Sequence, residues 1–446
     1  MQGGNEMRHV SDAAADEKDL TQMGITSGQA HTKSKKTQSG QSVGYDAPED
    51  YGNLDEMVTD PISHGESRSR DGRGESESLE VMRSPQRPSD VEMQDTITPD
   101  EQDEPETTTS KPTAQVSRVA TEVYTLSYLV FFAIFGTIAR LGLQALTLYP
   151  GAPVSFGVLW ANEWGMPNYH REIIKARRRG EQADDGAASS DLKTIPLYIG
   201  LSTGFCGSFT SFSSFIRDVF LAMVNDLPRA GGATPEPRTG GQSFMAMMAI
   251  IIATVALSLS ALIFGAHLAI ALEGITPSIP YLLGRKVMDR CAVLFGWGAW
   301  LGAVLLAIWP PHDAWRGRVI FSIVFAPLGC LARFYASLML NARVPAFPMG
   351  TFAVNIAGVA VLGMCWDLAH AGLGSVIGCQ VLQGVEDGFC GCLTTVSTWV
   401  AELTALRRRH AYIYGLGSVV VGFAVMVIIM GAEKWTDGFA PLMCTH

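Results

Sequence analysis

Two blocks in this sequence set glycines, hydroxyls and aromatic rings inside long apolar runs: GFCGSFTSFSSF at 204–215 and GFCGCLTTVSTW at 388–399. A Gly-x-x-Gly spacing midway through such a run lets a helix break, which frees carbonyls and N–H groups in the protein interior. Freed carbonyls bind a cation, and helix N-termini attract an anion. Thr210, Ser211, Ser213 and Ser214 add hydroxyls to the first block; Thr394, Thr395, Ser397 and Thr398 add them to the second. Phe212 and Phe215 lie three apart, on one helical face. An aromatic ring has a positive edge, so edge-on phenylalanines can line an anion path, although two isolated rings read first as ordinary packing.

Other polar residues interrupt apolar runs. Asn162 and Asn355 offer amide N–H groups, which replace hydration water around an anion without the full charge that would trap it. Hydrogen bonding between helices is the competing use of such amides. Arg140 and Arg333 fall late in apolar segments. A charge within a membrane costs ~3 kcal/mol or more, so it faces water or a partner. The two arginines therefore form either an electropositive vestibule or a pair that snorkels to the headgroups. Thr254 and Ser258, and likewise Tyr414 and Ser418, stand one helical turn apart, a weak signal in isolation. Of the eight cysteines, Cys390 and Cys392 are spaced C-x-C with no matching Cys/His pair to complete a metal site. The cysteines read as small apolar residues.

The elements that must position these groups follow from composition. Residues 1–122 hold 25 Asp and Glu against 12 Lys and Arg, whereas the remainder holds 18 against 21. That acidic segment has no apolar run long enough to bury and is expected to be a disordered cytoplasmic tail. It lacks a secretory signal, so the first apolar helix would direct membrane insertion. A bilayer-spanning helix needs ~20 mostly apolar residues, and nine segments qualify: 124–148, 153–169, 195–223, 244–272, 291–309, 318–341, 346–366, 374–405 and 411–431. With the tail inside, inner loops carry 13 Lys and Arg and outer loops 6, which favours a cytoplasmic N-terminus and an extracellular C-terminus.

The chain also repeats itself. GTIARLGLQAL (136–146) matches PLGCLARFYASL (327–338), pairing Arg140 with Arg333 at an offset of 193. At the same offset GVLWANEWG (157–165) matches GTFAVNIAG (350–358), pairing Asn162 with Asn355. The two GFCG blocks match at 184, the nine-residue change reflecting a longer loop at 170–193 in the first half. Two four-helix repeats leave one helix over, at 291–309. Because that number is odd, the second repeat enters the membrane upside down, giving an inverted repeat about an axis in the membrane plane. The predicted fold is all-α and transmembrane, with nine helices and a broken third helix in each repeat. Its parts are a tail at 1–122, a first repeat at 123–273, a linker with one helix at 274–316 and a second repeat at 317–446.

In order, G-x-x-x-R, N-x-x-G and G-F-C-G-x-[FL]-T-[ST]-x-S-[ST] resemble the Fluc/FEX, or CrcB-like, fluoride channel family over about 124–431. The resemblance implies a fluoride-selective channel, not an enzyme, that exports fluoride from the cytoplasm across the plasma membrane by passive electrodiffusion. It implies one fused chain equivalent to a dimer of single-repeat relatives. It further implies an anion pathway past Asn162, Asn355, Phe212, Phe215, Ser211, Thr395, Tyr414, Ser418, Thr254 and Ser258, with Arg140 and Arg333 at a vestibule. A structural Na+ would be held by the carbonyls of Gly207, Thr210, Gly391 and Thr394. This sequence departs from the family at Val396 and Trp399, where the phenylalanine pair is expected, so one of two pathways is expected to be impaired. A proton-coupled exporter would need a carboxylate in the bundle, and the candidates Glu163, Glu386 and Asp387 lie off the middle of any long span. A non-transporting scaffold that displays the tail is the remaining alternative.

Overall fold

The computed structural model describes residues 117–150, 152, 157–162, 195–228, 236–272, 287–311, 317–371, 375–442 and 444. The tail through residue 116, Glu163, the 170–193 loop and the linker stretch 274–286 lie outside the described residues. Among the described residues there is no strand.

The helices run in the predicted order. α1 (Arg118–Thr147) is followed by a short helical stretch at 158–162, then by a broken pair, α2 (196–209) and α3 (Phe212–Met223). α4 (Gly240–Ala271) closes the first repeat and α5 (Asp289–Ile308) links it to the second. There α6 (Arg318–Leu340) and α7 (Met349–His370) precede a second broken pair, α8 (376–393) and α9 (Ser397–Ala405), and α10 (Arg408–Thr436) ends the repeat. Six of these, α1, α4, α5, α6, α7 and α10, are long and apolar enough to cross a membrane.

α1 begins six residues before the expected 124. Ser117 caps its first turn, and Thr121, Thr125 and Ser127 each return their hydroxyl to the carbonyl four residues back. Polar residues are thereby satisfied inside the helix and need no water. The linker helix α5 lies against the first helix of both repeats. Tyr128 donates to Asp289 (3.1 Å), the Trp297 indole to Ser127 (2.9 Å) and the Trp300 indole to the Val324 carbonyl (2.8 Å).

Both broken helices break alike. Each opens into wide π-type turns, Gly200–Cys206 and Val385–Cys390, before a last short turn. The chain then turns extended at Thr210 (φ −97°, ψ 150°) and at Thr394 (φ −96°, ψ 152°). These matched angles carry the internal repeat from sequence into backbone geometry.

One cysteine expectation is corrected. Cys379 and Cys444 form a disulfide, while the other six remain thiols. The pairing was hidden because the chain's end folds back over α7 and α8: Ala440 donates to the His370 carbonyl and Gln380 to that of Cys444, both at 3.0 Å.

Candidate anion pathway and cation site

The two breaks clasp each other. The Thr210 hydroxyl accepts from the backbone N–H groups of Val396 (3.2 Å) and Ser397 (3.1 Å), at the start of α9 in the other repeat. In return, the Thr394 hydroxyl accepts from the Ser213 N–H (3.0 Å) at the start of α3. Ser211 and Thr395 stand beside these contacts, their hydroxyls 3.3 Å from Thr394 and Thr210 respectively. Each restarted helix thus has some of its orphan N–H groups satisfied by the opposite repeat.

The asparagines hold the breaks open. Asn162 accepts from the Ser211 N–H (3.0 Å), and Asn355 accepts from the Thr395 N–H (2.9 Å). In an unbroken helix those N–H groups would bond to the carbonyls of Gly207 and Gly391. Likewise the Ser214 and Thr398 N–H groups turn to the Ser211 and Thr395 hydroxyls (3.3 and 3.4 Å) instead of the carbonyls of Thr210 and Thr394. Four main-chain oxygens, two from each repeat, lose their helical donors. That donor set fits the Na+ implied by the resemblance, which would be held by carbonyls alone and needs no charged side chain. The asparagines differ in their second atom. Asn355 returns its Nδ2 to the Thr395 carbonyl (3.2 Å), whereas the buried Nδ2 of Asn162 has no partner among the described residues.

Arg140 and Arg333 are each 1% exposed, so they sit inside the protein and neither snorkel nor line an open mouth. Each crosses between repeats: Arg140 donates to the Asp387 carbonyl and Arg333 to that of Thr203 (2.7 Å), while Arg333 also donates to the Cys392 carbonyl (2.9 Å) of its own repeat. Asp387 and Thr203 correspond at the offset of 184, so each arginine ties down the π turn of the opposite repeat. A methyl group on Gly207 would overlap the Arg333 guanidinium, and one on Gly391 that of Arg140, so a side chain at either position would push the guanidinium aside. Glu386 and Asp387 are buried within α8, and Asp387 is ion-paired with Arg318.

The remaining candidates separate into two groups. On α10, Tyr414, Ser418 and Gly422 succeed one another at four-residue intervals on the buried face. A methyl on Gly422 would stand 3.4 Å from Phe212 and Ile216 of α3 and 3.6 Å from Ile356, next to Asn355. Phe215 meets Phe212 edge-to-face, with ring centres 5.7 Å apart. The first repeat's phenylalanines therefore pack beside the helix face that carries the second repeat's Tyr414 and Ser418. Asn162, whose unpaired amide adjoins the Ser211 backbone just before Phe212, lies at the same helix start. Thr254 and Ser258 are buried on α4 and Val396 at the start of α9. Trp399, near the start of α9, packs edge-to-face on Phe212 at 5.3 Å.

Two residues at the Tyr414 end escaped the sequence reading. Glu402, 5% exposed, accepts 2.6 Å hydrogen bonds from the Thr351 and Tyr414 hydroxyls. The signal for Glu402 was an offset of 184 that pairs it with Asp218, a second carboxylate inside the same broken helix. Asp218 instead takes the guanidinium of its neighbour Arg217 (2.9 and 3.1 Å), which also lies over Trp366 at 5.5 Å.

Comparison with known proteins adds the following. The family described as "CrcB-like protein, Camphor Resistance (CrcB)" matches residues 320–431. Fluoride export protein 1 of Neurospora crassa is 47% identical over 92% of this chain and 87% of its own length. Fluoride export protein 1 of Candida albicans is 34% identical over 70% of this chain and 80% of its own. The fluoride-specific ion channel FluC of Chlorobium luteolum is 32% identical over 24% of this chain and 87% of its own, the proportion expected of one repeat. No solved structure matches the chain.

Proposed function

Because the chain belongs to the Fluc/FEX, or CrcB-like, fluoride channel family in its fused two-repeat form, we propose that it expels fluoride through one pathway along α10, α7 and α3. The observation that carries this reading is that Phe212, edge-to-face with Phe215, packs beside Gly422, on the buried face of α10 that also carries Tyr414 and Ser418. Fluoride is small, strongly hydrated and a strong hydrogen-bond acceptor, so it needs several neutral donors in succession. Hydroxyls, an unpaired amide and ring edges supply them. At the Tyr414 end, the anion competes with Glu402 for the Thr351 and Tyr414 protons. Displacing the carboxylate releases two donors at once, and its return evicts the ion toward water.

The inside-negative potential drives an anion outward with ~2.3 kcal/mol per 100 mV, so no coupling ion is needed. In the plasma membrane, the basic inner loops favour a cytoplasmic N-terminus. The Cys379–Cys444 disulfide supports an outward C-terminus, since disulfides persist on oxidising surfaces. Na+ bound by the carbonyls of Gly207, Thr210, Gly391 and Thr394 would act as a fixed cross-link between the breaks. The second path, with Val396, Trp399, Thr254 and Ser258, would conduct poorly.

The test is fluoride efflux from liposomes containing the purified chain, with a potassium shunt and no proton gradient. Fluoride is expected to leave while chloride stays. Flux that requires a proton gradient would contradict the reading in favour of a coupled exporter.

A further inference from the structure

A concave surface lies where α4 of the first repeat meets α9 and α10 of the second. It is a groove of about 910 Å³ with walls including Met247, Val255, Leu259 and Phe423, and with Trp399 and Leu403 along α9. The lining is mainly apolar until the end nearest the start of α10, where Arg407 and Arg408 close it. Both arginines are exposed, and neither pairs with a carboxylate among the described residues. α10 itself begins there with no side-chain cap, so its first N–H groups are open to an acceptor. One turn on, Tyr412 stands 78% exposed, as aromatic residues do at a membrane interface.

These features ask for a single molecule with an anionic phosphate at one end and a long apolar body. We propose that the groove is a binding site for an anionic phospholipid, its phosphate on Arg407, Arg408 and the start of α10 and an acyl chain along α4, α9 and α10. Residues 1–116 are acidic but contain no apolar run to fill the groove, which favours a lipid over the chain's own tail. The positive end also faces the cytoplasmic leaflet in the orientation proposed above, where anionic lipids concentrate. Trp399 lines this groove and packs on Phe212, so the lipid bears on the anion pathway through one shared ring. The site requires a bilayer around the chain and does not depend on which ion is conducted.

Native mass spectrometry of the full-length protein tests this directly, with phosphatidylserine, phosphatidylcholine of the same chains, and inorganic phosphate as probes. Phosphatidylserine should be retained in preference to phosphatidylcholine, and millimolar inorganic phosphate should not displace it. Replacing Arg407→Gln and Arg408→Gln together should lower phosphatidylserine affinity roughly 30-fold, at about 1 kcal/mol per basic residue near an anionic surface. The Arg407→Lys, Arg408→Lys pair should restore most of it. Val255→Trp, which fills the groove without touching charge, should weaken both lipids. Equal retention of the two lipids, retention unchanged by the glutamine pair or by Val255→Trp, or displacement by phosphate alone would each overturn the proposal. Because the readout is lipid retention, a failure here leaves fluoride flux untouched, and a failure of flux leaves the lipid result standing.

Discussion

Thr351, Glu402 and Tyr414 of the second repeat form one hydrogen-bonded group. At the matched positions of the first repeat stand Val158, Asp218 and Thr254, with Asp218 turned to Arg217. The breaks that precede the two carboxylates turn extended at nearly the same angles, at Thr210 and at Thr394. What each repeat keeps is therefore different in kind. The breaks need each other, because each threonine caps the opposite helix, so their residues are held in both copies. A polar track serves only the path it lines, and one complete path suffices for an ion driven by the membrane potential. The first repeat retains its phenylalanine pair and the second its Tyr/Ser face, and the fold packs Phe212 of the one beside Gly422 on the helix that carries the other.

The largest expected effect tests the shared half of that comparison. Arg140→Met and Arg333→Met should each destabilise the protein by about 1–3 kcal/mol, the range for leaving a buried acceptor unsatisfied. Thermal unfolding in detergent should show similar losses for both, and a negligible loss for either would mean the guanidinia do not brace the π turns. Next comes the unequal half. Tyr414→Phe removes a hydrogen bond to a charged group, worth ~2 kcal/mol, and should reduce fluoride flux roughly thirtyfold. Thr254→Val should leave flux within about twofold, which is under ~0.5 kcal/mol.

A smaller, crossed effect is expected at the asparagines. Asn355→Ala breaks two hydrogen bonds where Asn162→Ala breaks one, so it should cost about 1 kcal/mol more in stability. Flux should rank the opposite way, because only Asn162 has an amide donor to spare. Variants that lose stability and flux in the same order would remove Asn162 from the path. Last, Cys444→Ser should scarcely change flux. After mild reduction of the native protein, a membrane-impermeant maleimide should label Cys379 and Cys444 from outside intact cells, and labelling only after permeabilisation would reverse the proposed orientation.

Much of this was legible in sequence because it is periodic or duplicated. Apolar length located the helices, and the offsets of 193 and 184 located the breaks and the arginine and asparagine pairs. The sequence could not show that Arg140 reaches Asp387, since a crossing contact between repeats leaves no local pattern. Glu402 was missed for a related reason. Its partners lie 51 and 12 residues away, and only the folded α7, α9 and α10 bring them together. The Cys379–Cys444 bridge depends on the chain's end folding back over α8, which apolar periodicity does not encode.

The central claim is that one path conducts and draws on both repeats. Its most direct test is fluoride efflux from liposomes for two paired variants that remain monodisperse: Phe212→Ala with Phe215→Ala, and Val396→Ala with Ser258→Ala. The first pair should lower flux at least about a hundredfold, or ~2.7 kcal/mol, while the second stays within about threefold of the unaltered protein. Equal losses for the two pairs, or a greater loss for the second, would contradict a single path along α10, α7 and α3.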